Sequence, residues 1–250
     1  MPDQVKILGV RVDPTSYQAV VSQVESWARR NESRYVCVAN VHMVMEAHDS
    51  QIFRDIVNSA DLVTPDGMPL VWLLRHWGYP QQQRVYGPDL TRHLVDMSEK
   101  AGIPVGFYGG SSETLQGLID HLTNGHPGLN ITYSYSPPFR TLTSDEDQSV
   151  IRAINAAAPK ILFVGLGCPK QETWMAAHKS KIPSVMIGVG AAFDFYAGTK
   201  QQAPSWMQKL GVEWLFRLVL EPGRLWRRYL YHNPRFLAFI LPQIMRGGKD

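Results

Sequence analysis

Ile161-Leu-Phe-Val-Gly165-Leu-Gly167-Cys-Pro169-Lys170-Gln171-Glu172 decides the reading of the fold. Four apolar residues in a row suit a strand buried on both faces, and length separates such a run from a helix. Two glycines then turn the chain, and Pro169 suits the first turn of a helix. The helix expected from here covers Lys170–Lys179. Strand, glycine turn and helix in this order form one half of a parallel crossover unit.

The same grammar repeats outward from this stretch. Strands are expected at Val5–Val12, Tyr35–Ala39, Leu62–Thr64, Pro104–Tyr108, Ile131–Tyr135 and Ser184–Val189. Helices are expected at Tyr17–Arg30, Val41–His48, Met68–Trp77, Pro88–Ala101, Ser112–Asn124 and Thr143–Ala157. Ser144 is read as the N-cap of the last of these, with Asp145, Glu146 and Asp147 in its first turn. Strands alternating with helices of this length predict an α/β fold: a Rossmann-like, mostly parallel sheet flanked by helices. Such sheets bind ligands at the carboxyl ends of their strands. The loops after Ala39, Thr64, Tyr108, Gly165 and Val189 are therefore expected to converge on one crevice.

The 250 residues carry a net charge of +3, with 44% apolar and 19% charged residues. That balance excludes a disordered or collagen-like chain. Two cysteines, Cys37 and Cys168, cannot build a disulfide framework, and their apolar or glycine-rich settings fit a reducing compartment. No secretory leader is read at the N-terminus, and no apolar run reaches the roughly 18 residues of a membrane span. The eight histidines show no HxxxH or HxH spacing, so no metal site is expected.

Charge is distributed unevenly. Residues 209–250 are net +5, and the remaining residues are net −2. The tail is also rich in tryptophan, tyrosine and phenylalanine. Basic and aromatic residues together suit a helix at a membrane interface better than a nucleic-acid surface. The chain is accordingly divided into an α/β domain, 1–208, and a basic, aromatic helical appendage, 209–250. Pro222, Pro234 and Pro242 are expected to cut the appendage into short helices.

Four loops offer chemistry. Gly109 and Gly110 let a ligand approach the backbone, next to a helix N-terminus able to meet a phosphate; a plain tight turn reads the same way. In the stretch quoted first, Gly165, Gly167 and Pro169 shape the turn. Lys170 can neutralise a phosphate there, and Gln171 can hydrogen-bond a sugar or phosphate. The stretch is neither a Walker loop nor a full GxGxxG fingerprint. Thr64-Pro-Asp66-Gly67 puts a carboxylate at a strand end, suited to a general base or to a helix cap. Gly188-Val-Gly190 leads to Asp194, suited to a ribose, a base edge or a local turn. Asn40 ends its own strand in the same manner.

Taken in order, these segments resemble the WecG/TagA/CpsF glycosyltransferases, family 26. The matching segments are Ala39-Asn40, Ala60 to Gly67, Arg84-Val-Tyr-Gly87-Pro-Asp89, Phe107 to Gly110, Gly165 to Glu172, and Gly188 to Asp194. They continue with Gln202 to Trp206, Gly211 to Leu218, Glu221-Pro-Gly-Arg224 and Arg227-Arg228. Where the family commonly has a threonine before the asparagine, this chain has Val38 and Ala39. The resemblance implies transfer of a sugar from a UDP-sugar to a polyprenyl-diphosphate-linked saccharide, with inversion to a β-linkage, in surface-polysaccharide synthesis. It implies Asp66 as the base and Arg217, Arg224 and Arg228 (or Arg227) as tail arginines brought to the active site. It adds Arg84 and Asp89 to the substrate-binding set of Asn40, Gly109, Gly110, Gly165, Gly167, Pro169, Lys170, Gly190 and Asp194. Gln171 is placed with the catalytic set.

No cofactor, no metal and no nucleic acid are expected. The implied site of action is the cytoplasmic face of the plasma membrane, with the protein peripheral. Family members are described as oligomers, which makes packing of the apolar tail on another copy the alternative to lipid. A nucleotide-dependent oxidoreductase and a non-catalytic nucleotide-sugar-binding scaffold are the competing functions.

Overall fold

The computed structural model describes residues 5–248, with the side chains of Arg224 and Arg228 outside the described set. In chain order the elements begin with β1 (Val5–Ile7), β2 (Val10–Val12), α1 (Tyr17–Arg29), β3 (Arg34–Ala39), α2 (Val41–Asp49) and α3 (Gln51–Asn58). Next come β4 (Leu62–Pro65), α4 (Met68–His76), α5 (Gly87–Ala101), β5 (Val105–Gly109), α6 (Ser112–Gly125), β6 (Ile131–Tyr135) and α7 (Ser144–Ala157). The chain closes with β7 (Ile161–Gly165), α8 (Lys170–His178), β8 (Val185–Gly188), α9 (Ala192–Tyr196), α10 (Ser205–Lys209), α11 (Glu213–Leu220) and α12 (Pro222–Met245).

Six strands form a parallel sheet in the order β4-β3-β8-β7-β5-β6. This is the expected α/β class. The central strands are buried along nearly their whole length, as parallel strands covered on both faces must be. Phe107 of β5 stacks on Phe163 of β7 with ring centroids 5.2 Å apart, and Phe193 meets Phe107 edge-on at 5.8 Å.

The chain forms two compact units. One comprises Met1–Ser16, Val38–Tyr86 and Gln202–Asp250; the other comprises Tyr17–Cys37 and Gly87–Gln201. In the first, the β1–β2 hairpin, α2, α3, β4, α4 and α12 supply buried side chains that include Ile7, Val44, Phe53, Val63, Leu70 and Ile240, whereas α10 and α11 bury none. In the second, α1 packs on α5, and α6 on α9.

Several elements differ from expectation for local reasons. Val5–Val12 is a hairpin rather than one strand. Leu8 and Gly9 both take positive φ, 51° and 82°, which a two-residue turn between antiparallel strands demands. The helix α3 was not expected; Ser50 accepts a bond from the Phe53 N–H and starts it, and Phe53 and Val57 bury one face. Thr143, not Ser144, caps α7. Its hydroxyl accepts from the Glu146 N–H while the Glu146 carboxylate accepts from the Thr143 N–H, a complete capping box.

The tail departs furthest. Pro222 stands at the start of α12, but Pro234 and Pro242 lie inside it and do not divide it. Each proline removes one helical N–H and strains the preceding turn. Burial of Leu225, Phe236 and Ile240 along one face of α12 outweighs that loss. Among the described residues, no helix is long and apolar enough to cross a membrane.

Removal of the Thr143 hydroxyl in Thr143→Ala is expected to cost about 1 kcal/mol of stability in urea unfolding. Ser144→Ala, by contrast, is expected to change stability by less than about 0.5 kcal/mol. Equal effects at the two positions would contradict the observed cap.

Candidate functional site

Two loops of the first unit build a polar centre from their backbone outward. The Ala39 carbonyl at the end of β3 accepts from the N–H groups of both Asp66 (2.8 Å) and Gly67 (3.2 Å). This pins the turn after β4. A Cβ on Gly67 would stand 3.2 Å from the Asn40 Cα, so a side chain there would push the two loops apart. Asn40 caps α2: its Oδ1 accepts from the Met43 N–H at 3.2 Å. The segment after Gln83 runs back beside β4, with the Val85 N–H donating to the Pro65 carbonyl at 2.9 Å. That carries Arg84 to Asp66.

Arg84 is the hub. Its Nε and Nη2 donate to Asp66 Oδ1 at 3.0 and 2.9 Å, and its Nε also bonds the Asp66 carbonyl. Nη2 reaches Glu213 Oε2 at 2.8 Å, and the guanidinium lies over the Tyr86 ring at 4.0 Å. The Tyr86 hydroxyl donates to Glu213 Oε1 at 3.2 Å. Side-chain exposures of Asp66, Arg84 and Glu213 are 15%, 17% and 12%. Glu213 arrives from the first turn of α11, after a turn at Gly211. Gly211 has φ +70°, and a Cβ there would lie 2.8 Å from the Trp72 ring, so the close approach of this turn to α4 requires glycine.

Burial pushes the Asp66 carboxyl up to about 6. The Arg84 charge opposes the rise, Glu213 adds to it, and Arg217 lowers it again. The same burial works against the charge on Arg84, but Asp66 and Glu213 together hold it protonated. Burial and the two carboxylates raise the Tyr86 hydroxyl and keep it neutral. The site is thus a near-neutral carboxylate beside a permanent cation.

Asp66, Arg84, Tyr86, Glu213, Arg217 and Asn40 line one part of a cavity of about 660 Å³. Apolar side chains line the rest, among them Trp72, Leu73, Trp214, Phe236, Leu237 and Ile240. Of the expected site residues, Asn40, Asp66, Arg84 and Arg217 are therefore brought together. Glu213 and Tyr86 were not singled out. Both lie in segments that match the family, Arg84 to Asp89 and Gly211 to Leu218, but only the tertiary structure brings Glu213 to Arg84 and Tyr86. Arg224 and Arg228 are expected site residues whose side chains lie outside the described set. Arg227 lies over the Trp226 ring at 5.2 Å.

The other expected residues belong to the second unit. The Gly110 N–H donates to the Gly165 carbonyl at 3.1 Å, locking two strand-end loops together. Gly109 has φ +123°, and a Cβ on it would lie 2.6 Å from the Gly165 backbone, so only glycine fits. Gln171 is buried, and its Oε1 accepts from the N–H groups of Gly167 and Gly190, each at 3.1 Å. Its amide donates to Glu172 at 2.7 Å. Gln171 thus holds two strand-end loops in register. Lys170 is exposed in the first turn of α8, just after Pro169. Asp194 pairs with Lys200 at 3.0 Å, and Asp89 accepts from the Tyr17 hydroxyl at 3.4 Å.

Comparison with known proteins agrees with this arrangement of segments. Residues 5–250 match the profile of the Glycosyl transferase WecG/TagA/CpsF family. The chain belongs to that family, a family of glycosyltransferases. It is 30% identical over 231 residues to a Bacillus spizizenii protein, covering 92% of this chain and 87% of the relative. A Bacillus subtilis protein is 30% identical over 212 residues, covering 83% of this chain and 79% of the relative. A Staphylococcus aureus protein is 28% identical over 227 residues, covering 90% and 87%. All three relatives are named N-acetylglucosaminyldiphosphoundecaprenol N-acetyl-beta-D-mannosaminyltransferase.

A carboxyl-carbon NMR titration of Asp66 is expected to show a midpoint near 6. Glu213→Gln removes a like charge and is expected to move that midpoint down. Arg84→Met removes the attracting cation and is expected to move it up. A midpoint near 4 that ignores both substitutions would show that burial does not govern this carboxyl.

Proposed function

We propose that this protein is an inverting glycosyltransferase that moves a sugar from a UDP-sugar to a polyprenyl-diphosphate-linked saccharide. The observation that carries the reading is Asp66: a carboxylate raised to about 6, gripped by Arg84, in a cavity that is otherwise largely apolar. A general base works best with a pKa close to the working pH. In the proposed step an acceptor hydroxyl oxygen forms the new bond to the anomeric carbon, and its proton passes to Asp66. The bond from the anomeric carbon to the UDP oxygen breaks, and UDP leaves with the electron pair. Attack opposite the leaving group turns an α-linked donor into a β-linked product.

Protein cations are proposed to meet the charge that grows on the diphosphate, without a metal in the chemical step. Arg217 and Lys170 are assigned this role, together with the tail arginines Arg224 and Arg228. Gly109, Gly110, Gly165, Gly167, Pro169 and Gly190 are assigned to the nucleotide sugar, along with Asp89 and Asp194. The N-terminal ends of α6 and α8, with their positive dipole ends, suit its phosphates. Arg84 and Asn40 position Asp66 and its turn. The names of the relatives support N-acetylmannosamine as the sugar and N-acetylglucosaminyldiphosphoundecaprenol as the acceptor.

The residues 209–250 are proposed to dock on the membrane that holds this acceptor. Val219, Leu220, Trp226, Leu230, Leu237 and Met245 are all exposed on α11 and α12, interleaved with basic residues. Such a face favours an anionic bilayer surface. The cytoplasmic face of the plasma membrane is proposed as the place of docking, a reading supported by the lipid-linked acceptor in the relatives' names.

The test is UDP release from a panel of UDP-sugars, with a polyprenyl-diphosphate-saccharide acceptor in bilayers. Acceptor-dependent turnover of one donor is expected, falling by on the order of 10²–10⁴-fold in Asp66→Asn. Undiminished turnover in that variant would remove Asp66 as the base, and no turnover with any donor would remove the transferase reading. Leu230→Glu with Val219→Glu is expected to abolish co-flotation with anionic vesicles. Flotation as strong as wild type would place the membrane-binding face elsewhere.

A further inference from the structure

The seam between α2 and α12 contains a cluster that the transfer chemistry does not use. His42 and Glu46 are one helical turn apart on α2 and share a face. His232 comes from α12. His232 Nε2 lies 3.4 Å from Glu46 Oε1, and His42 Nδ1 lies 3.7 Å from the same oxygen. One donor atom from each of the three falls within 4.8 Å of the others. The two imidazoles meet edge to face with centroids 5.0 Å apart.

The two histidine-to-carboxylate spacings suit a coordination sphere, and a small closure of the two rings would bring all three donors onto one ion. Zinc bonds nitrogen and oxygen at roughly 2.0–2.2 Å, so neighbouring ligands in a tetrahedron stand about 3.4 Å apart. Two imidazoles and one carboxylate form a ligand set that zinc accepts, with a fourth position left for water. Side-chain exposures of 13% for His42 and 9% for His232 hold both rings by packing, while Glu46 at 34% keeps the group open to solvent. Neighbouring contacts fix the two helices against each other without drawing on the three ligands. Arg235 pairs with Asp49 through bonds of 2.7 and 2.6 Å, and His48 lies 4.6 Å from the Phe239 ring.

We propose that His42, Glu46 and His232 bind a divalent cation of the zinc class and thereby cross-link α12 to α2. Sequence spacing hides this site, since the histidines lie on helices from opposite ends of the chain. The position of the cross-link gives it a consequence. His42 follows Asn40 and Val41, and His232 adjoins Asn233, all of which line the cavity that holds Asp66. A bound ion would fix α12 as the wall of that cavity. The role is structural and separate from the proton transfer assigned to Asp66.

The full-length, untagged protein, stripped with chelator, is titrated with Zn²⁺ alone and with Co²⁺ as a spectroscopic probe. One equivalent of Zn²⁺ per chain is expected, with a rise in Tm and visible Co²⁺ bands of a four- or five-coordinate nitrogen and oxygen site. His42→Ala and His232→Ala are each expected to weaken binding by more than about 100-fold, beyond the loss seen for outer-sphere partners. Glu46→Gln is expected to weaken it as well and to alter the Co²⁺ bands. Two controls should keep the site. Arg235→Gln breaks the adjacent helix–helix ion pair and the stacking of that guanidinium on Tyr231 and Phe239 without touching the three ligands, and Cys168→Ser removes the more accessible thiol. No stoichiometric uptake by wild type would overturn the proposal. So would uptake lost in Cys168→Ser but kept in both histidine variants, or uptake lost as fully in Arg235→Gln as in His232→Ala.

Discussion

The candidate site depends on one buried cation. Arg84 contacts both Asp66 and Glu213, and it is sequestered with them. Taking an ion from water into a protein interior costs several kcal/mol, and a pair survives only when its geometry and hydrogen bonds are good. Arg84 meets that condition through its planar fork. Two of its nitrogens share one Asp66 oxygen, one of them also reaches Glu213, and its flat face lies on Tyr86. Arg217 lines the same cavity and adds a second positive charge facing the two carboxylates. Burial is what raises the Asp66 carboxyl to about 6; Glu213 adds to the rise, and Arg84 and Arg217 work against it. The rise from the ordinary carboxylate range is equivalent to about 3 kcal/mol against the charged form. Because folding raises this pKa, the folded state holds the proton more tightly than the unfolded chain. This group's contribution to stability is therefore full below the ordinary carboxylate pKa and is lost as pH rises through about 6. Stability is given up over the same interval in which the carboxylate becomes able to act as a base.

Backbone closeness does the corresponding work in the second unit. Gly109 and Gly165 bring their loops together at distances no side chain would permit, and Phe193 fills the space that a Cβ on Gly165 would occupy at 2.6 Å. Gln171 then uses one carbonyl oxygen to hold the loops after β7 and β8. Its buried amide is satisfied by Glu172, so the polar group carries no unpaired penalty. The N–H groups of Gly110, Gly167 and Gly190 are spent on these internal bonds, which fix the shape of the strand-end loops.

The tail shows where local rules yield to packing. Two prolines inside α12 predict breaks, and the helix nonetheless runs from Pro222 to Met245. Its apolar face is anchored in the first unit by Leu225, Phe236 and Ile240, and its polar side is tied to α2 by Arg235 and His232. Each proline removes one hydrogen bond, whereas the buried face and the seam hold many residues at once. The same seam gathers His42, Glu46 and His232.

Much was legible in the residues alone. Apolar runs of strand length, each followed by a glycine turn and an amphipathic stretch, determined the α/β class and the parallel sheet, because local periodicity reports which faces are buried. Asp66, Asn40, Gly109, Gly110 and the Gly165–Gln171 loop were recognisable as strand-end positions for the same reason. The hairpin at Leu8-Gly9 and the start of α3 at Ser50 were missed, since short turns leave little periodic signal. Only the tertiary structure decided that Arg84 lies between Asp66 and Glu213, that Gln171 faces inward to hold loops, and that His232 meets His42. Those contacts join residues far apart in the chain. Burial and charge at such meeting points depend on everything packed around them, so no local pattern encodes them.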